Sequence, residues 1–138
     1  LHLCDRRQRQ MCIRDREKTD AVNFVTMNGG IVIKESANQK YTTDAFSRAL
    51  FTGVCQNVNV PVQSFANRSD VVGGSTLGNL SNTQVSVHAV DFGLAQLAMH
   101  SCFETAGVKD TEYAIVALKE FYETNVQIEE AESVCLEK

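Results

Sequence analysis

The chain predicts an α/β fold of the layered kind, a sheet flanked by helices, from two observations. Short β-branched runs bounded by turn residues recur along it, and stretches with apolar side chains at helical spacing take turns with them. Ile31-Val32-Ile33 follows the turn signal Asn28-Gly29-Gly30, whereas Phe46, Leu50, Val54 and Val58 recur four apart and line one helical face. With 138 residues, 43% hydrophobic and 22% charged, the chain is one globular domain or a piece of one.

The elements follow in order. Residues 17–28 lack sustained periodicity, and a strand is expected near 30–35. A helix over 43–57 follows, with Thr43 as N-cap because its hydroxyl can accept an orphan helix N–H. Pro61 ends that region, and residues 62–65 read as a short strand leading into the loop "NRSDVVGGSTLGN", which ends at a short helix. Val85, Val87 and Ala89 alternate with Ser86, His88 and Val90, predicting another strand, with His88 a solvent-facing or edge residue on it. Ser101-x-x-Glu104 fits a capping box and predicts a helical turn. Beyond Gly107, Asp110 caps a longer helix whose Ala114, Ile115, Leu118, Phe121 and Tyr122 form a core-facing stripe. The acidic tail from about 125 is expected to fray.

Composition excludes several roles. The longest apolar runs, such as residues 114–118, fall far short of the roughly 20 residues of a membrane span. Five scattered cysteines with no Cys-x-x-Cys pair suggest free thiols in a reducing compartment, hence the cytoplasm, with Cys55 and Cys102 as small buried hydrophobes. Residues 1–16 hold five arginines against two aspartates, while the other 122 residues hold eight basic side chains against fifteen acidic ones. So acidic a body repels phosphate backbones, which argues against nucleic acid as a partner. The run Gln10-Met11-Cys12-Ile13-Arg14-Asp15-Arg16 resembles a translation of the end sequence used by transposase-based sequencing libraries. Residues 1–16 are therefore set apart as a non-native, adapter-derived segment, and 17–138 are expected to continue from an upstream part.

Residue types alone leave the chemistry open. Gly73-Gly74-Ser75-Thr76-Leu77-Gly78 resembles a glycine-rich phosphate cradle but lacks the Gly-Lys-Ser/Thr ending of a P-loop and the spacing of a dinucleotide fingerprint. It supports the alternative of a non-enzymatic anion- or nucleotide-binding α/β module using the Gly73–Gly78 loop. Asp70, Asp91, His100 and Glu104 are possible metal ligands, yet their spacing matches no local zinc pattern. His100, amid apolar neighbours, could be a core residue or a ligand. By themselves Lys34 reads as a solvated strand-end amine and Tyr41 as a packing residue.

Three stretches taken together, "GGIVIKESANQKYTTDA", "VPVQSFANRSDVVGGSTLGN" and "VDFGLAQLAMHSCFET", resemble the C-terminal part of the aspartyl aminopeptidase family, from about Glu17 to Tyr122. These are zinc metallopeptidases that release acidic N-terminal residues from peptides. The resemblance implies that 17–138 is the C-terminal part of a layered α/β catalytic domain, truncated at its N-terminal side, from a cytoplasmic homo-oligomeric enzyme. His100 is then a ligand to one of two co-catalytic zinc ions and a contact for substrate. Lys34 and Tyr41, the lysine of the "VIK" strand and the tyrosine seven residues later, are the other substrate contacts. The family's other ligands and its general-base glutamate lie upstream, so no catalytic residue falls within this chain. The chain alone is expected to be inactive and to leave a sheet edge and part of a core face uncovered. "SCFE" stands where "SIRE" is usual, and Asn79 where proline often follows the glycine.

Overall fold

The computed structural model describes residues 22–68, 70, 74–99, 101–130 and 133–137. Its centre is strand β1 (Ile31–Glu35), whose residues Ile31, Val32 and Ile33 are wholly buried. A strand covered on both faces reads as an unbroken apolar run. It pairs in parallel with β2 (Val62–Ala66), in register from Ile31 opposite Val62 to Glu35 opposite Ala66. On its other side it pairs antiparallel with the short β3 (Phe92–Gly93), giving the order β2-β1-β3. The α/β class is as expected.

Parallel neighbours need a crossover, and helix α1 (Ala45–Asn57) supplies it. Its N-cap is Asp44, one residue beyond the expected Thr43. Asp44 Oδ1 accepts from the Ser47 N–H at 2.7 Å, and Ser47 Oγ accepts from the Asp44 N–H at 3.1 Å, a reciprocal capping box. Thr43 is displaced from that role because its hydroxyl accepts from the Asp91 N–H at 2.8 Å. Phe51, Val54 and Cys55 are buried, and burial pushes the Cys55 thiol up to about 11.

Helix α2 (Leu77–Gln84) is the expected short helix, and α3 (Val108–Glu123) is the longer one. Gly107, not Asp110, is the N-cap of α3. Asp110 lies in the first turn with no exposed surface, accepting from the Asn28 N–H at 2.7 Å and the Gly30 N–H at 2.9 Å. That tie fixes the rotation of the helix. Ala117 and Glu120 accordingly face inward with Asp110, whereas Ile115 is 64% and Tyr122 80% exposed, so the expected stripe lies partly on the outside. Gly30 is held at φ 106°, where a side chain would collide with the Pro61 carbonyl.

Other expectations are corrected. Residues 85–91 form no strand: Val85 and Val87 are exposed, and His88 Nδ1 lies 2.7 Å from Asp44 Oδ2. His88 is solvent-facing, as expected, but in a loop. No helical turn starts at Ser101, because its hydroxyl accepts from the Phe103 N–H at 3.2 Å and the chain then enters β5 (Thr105–Ala106), paired with β4 (Gln96–Leu97). Cys102 is exposed, not buried. The tail, expected to fray, forms a hairpin of β6 (Asn125–Glu130) and β7 (Ser133–Glu137), with Val126 opposite Leu136. None of the described helices is long and apolar enough to cross a membrane.

Two apolar clusters close the sheet. Ile31 and Ile33 meet Phe51, Cys55, Val60 and Ala117 on the helix side. On the opposite face Val32 meets Val25, Phe65 and Ala95, with Met27, Tyr41 and Met99 around them.

Candidate functional site

Side chains alternate along a strand, so Lys34 belongs to the face of Val32, the one covered by loops. It also lies near the carboxyl end of the parallel pair, where α/β sheets place their ligands. Three segments converge there: the turn after β1 carrying Tyr41 and Thr43, the end of β2 with Asn67, and the segment running from Thr76 to Asp91.

Their geometry is specific. Lys34 Nζ lies 3.2 Å from Asp91 Oδ1 and 5.7 Å from the centre of the Tyr41 ring. Thr76 Oγ1 donates to Asp91 Oδ2, so both carboxylate oxygens are engaged. The Asp91 main chain is held as well, its carbonyl accepting from the Lys34 N–H at 2.8 Å and its N–H donating to Thr43. Tyr41 packs edge-on against Phe65 at 6.4 Å, and its hydroxyl accepts from Asn67 Nδ2 at 3.4 Å. With side chains only 20% and 10% exposed, Lys34 and Asp91 form a largely desolvated pair, unlike a surface salt bridge, which side-chain entropy and salt nearly cancel.

Lys34 and Tyr41, which the resemblance names as substrate contacts, lie side by side. His100 lies outside the described residues, as does Gly73. Asp91 is committed to Lys34 and Thr76 and so is withdrawn from the set of possible metal ligands. Asp70 pairs with Arg68, whose hydrogen bond and charge hold the carboxyl below the usual carboxylate range. Glu104 sits in an exposed segment before β5. Among the described residues no three His, Cys, Asp or Glu side chains converge to hold a metal ion. They do not by themselves fit zinc. In the glycine-rich loop, Gly74 faces open space and Gly78 packs over Thr42.

The sequence reading missed the roles of Asp91, Thr43, Thr76 and Asn67. A carboxylate two residues before a glycine and two threonines far apart in the chain carry no signature of their own. The available signal was only that the only lysine on the strand would need a counter-charge once buried.

Comparison with known proteins adds to this geometry. Residues 16–122 match the family described as Aminopeptidase I zinc metalloprotease (M18). The chain is 46% identical over 106 residues to "Probable M18 family aminopeptidase 2" of Clostridium novyi, covering 77% of this chain and 24% of that protein. The same-named protein of Pseudomonas aeruginosa is 44% identical over 106 residues, covering 77% and 25%. The chain therefore spans about a quarter of the length of the curated relatives it matches. Among solved structures, the cryo-EM structure of the Ape4 and Nbr1 complex superposes with a TM-score of 0.74 at 39% identity, covering 78% of this chain and 20% of that one. The crystal structure of prApe1 superposes with a TM-score of 0.72 at 27% identity, covering 78% and 22%.

Proposed function

Because this chain belongs to the Aminopeptidase I zinc metalloprotease family, we propose that it supplies the acid-recognising corner of a zinc aminopeptidase that releases N-terminal aspartate or glutamate from peptides. One observation carries the reading: a lysine ammonium held at the carboxyl end of the central strand, between a carboxylate and an aromatic face. An ammonium has three donors, and a single Asp91 contact leaves the others for a substrate carboxylate. Tyr41 forms the floor of the same corner. His100 would add one zinc ligand and a substrate contact, as the family resemblance implies, and zinc would supply Lewis-acid chemistry there.

One imidazole cannot hold a catalytic zinc, which needs about three protein ligands and an open position. The 138-residue chain alone is therefore inactive. The intact enzyme works in the cytoplasm as a homo-oligomer, and the exposed apolar side chains of α3, Val108, Ile115 and Tyr122, are the kind of surface that assembly covers.

Two measurements test this. Incubating the chain with zinc and an N-terminal glutamyl chromogenic substrate is expected to give no turnover above buffer; turnover would overturn the claim of inactivity. Titration with an aspartyl dipeptide, followed by amide chemical shifts, is expected to move signals at Lys34 and Tyr41, with no such movement for the asparaginyl dipeptide. An equal response to both would remove acid recognition.

A further inference from the structure

We propose that Asp91, braced by Thr76 and Thr43, is the positioning residue that aims the Lys34 ammonium at an acidic ligand, which makes Thr76, at the start of α2, part of the recognition site. The inference rests on the acid-recognition reading above. A lysine carries four methylenes and about 2 kcal/mol of rotamer entropy, so an unbraced strand-end ammonium would sweep through solvent. Here its side chain is only 20% exposed, because Asp91 and the Tyr41 ring stand beside it.

The brace has several points. Asp91 Oδ1 takes the Lys34 ammonium, Oδ2 takes the Thr76 hydroxyl, and the Asp91 carbonyl takes the Lys34 N–H. The Asp91 N–H goes to Thr43. Thr76 is the informative member. It stands at the N-cap position of α2, where a hydroxyl ordinarily accepts a helix N–H, yet its side chain makes no capping bond and is turned to Asp91 instead. Two threonines next to two different helix starts thus converge on one aspartate. The pair is neutral as a whole, so a ligand carboxylate meets aimed N–H donors more than a free positive charge.

Replacing Asp91 mixes two opposed effects: losing its negative charge favours an acidic ligand, while releasing the lysine disfavours it. Thr76→Val keeps every charge and nearly the same shape and removes no cap, so it isolates positioning. The test uses the 138-residue chain and reads two quantities: the exchange rate of the Lys34 ammonium protons by NMR, assigned by their absence in Lys34→Met, and the affinity for an aspartyl against an asparaginyl dipeptide. Loss of one hydrogen bond predicts about fivefold faster exchange and about fivefold weaker aspartyl binding in Thr76→Val. Asparaginyl binding should stay put, and Thr76→Ser should keep wild-type behaviour. If wild type prefers the aspartyl peptide and Thr76→Val changes neither quantity, positioning is overturned while acid recognition stands. If wild type shows no preference, acid recognition falls, and positioning is decided on exchange alone: faster exchange in the variant supports it, an unchanged rate overturns it. Should Thr76→Val fail to fold, Asp91→Glu, which keeps the charge and moves it by one methylene, is read by exchange in the same way.

Discussion

The two faces of β1 are equally buried and closed by different means. Toward the helices, Ile31 and Ile33 pack in an apolar cluster in which Phe51 stacks on Phe92 with ring centres 4.7 Å apart, and polar contacts come in at the strand's end, where Arg48 donates to Glu35 and Ser64. Toward the loops, Val32 shares its face with Lys34, and much of the cover is polar and directional: Gln63 accepts from the Thr26 N–H and donates to the Thr26 carbonyl, each at 2.9 Å, while Asp91 ties Thr43, Thr76 and Lys34. Apolar burial is strong but has no direction, whereas a hydrogen bond adds about 1 kcal/mol net and fixes an orientation. The helix face therefore rests mainly on apolar packing, and the loop face fixes the orientation of the Lys34 ammonium.

The largest expected effect tests that division. Phe51→Ala removes a ring that is 2% exposed and should cost about 3–5 kcal/mol in urea unfolding. Tyr41→Phe, on the other face, deletes only a hydroxyl with one long bond to Asn67 and should cost less than about 1 kcal/mol. Comparable losses at the two positions would erase the contrast. Asp110→Asn comes next. The carboxylate holds two backbone N–H groups, of Asn28 and Gly30, and an amide keeps one oxygen while turning an NH2 toward the other donor. A loss of about 2–3 kcal/mol is expected by the same measurement; a loss under 0.5 kcal/mol would mean that α3 is positioned by its apolar contacts and not by this tie.

The difference between the faces also explains what could be read in advance. The helix face was legible in outline, because Ile31-Val32-Ile33 and the four-residue apolar spacing are local patterns, although α1 buries Ser47, Phe51, Val54 and Cys55 and leaves the expected Phe46 and Leu50 only partly covered. Legibility failed wherever a polar side chain is used by a partner far along the chain. Thr43 looks like a cap until Asp91 claims it, Asp110 looks like a cap until residues 28–30 claim it, and the α3 stripe is then rotated away from its expected place. The Val85 to Val90 alternation fails for the opposite reason: the pattern is present, but β1 takes Phe92–Gly93 as its neighbour. At the site, Lys34 and Tyr41 became visible through the three-stretch resemblance, whereas the hold on Lys34 depends on residues 42 to 57 positions away that no spacing connects.

The smallest expected effect concerns the join between the two regions, where Asp44 caps α1 and receives His88 from the segment before β3. Burial alone would raise its pKa. The Ser47 N–H and then His88 outweigh that, holding the Asp44 carboxyl below its ordinary 3.8. A depressed native pKa contributes stability that is present above the unfolded value and lost as pH falls through the folded one. Asp44→Ala should therefore cost about 1 kcal/mol at neutral pH. The cost should shrink as the wild-type carboxyl protonates below its ordinary 3.8, which urea unfolding at neutral pH and at successively lower pH will show. Because Asp44 is largely exposed and the His88 contact is solvent-screened, His88→Ala should cost less, within about 0.2–1 kcal/mol. A cost for Asp44→Ala that stays constant down the whole acid range would mean that the cap works through the shape of its turn and not through its charge. The join would then be a geometric hinge between the apolar face and the polar face of the sheet, not an electrostatic clasp.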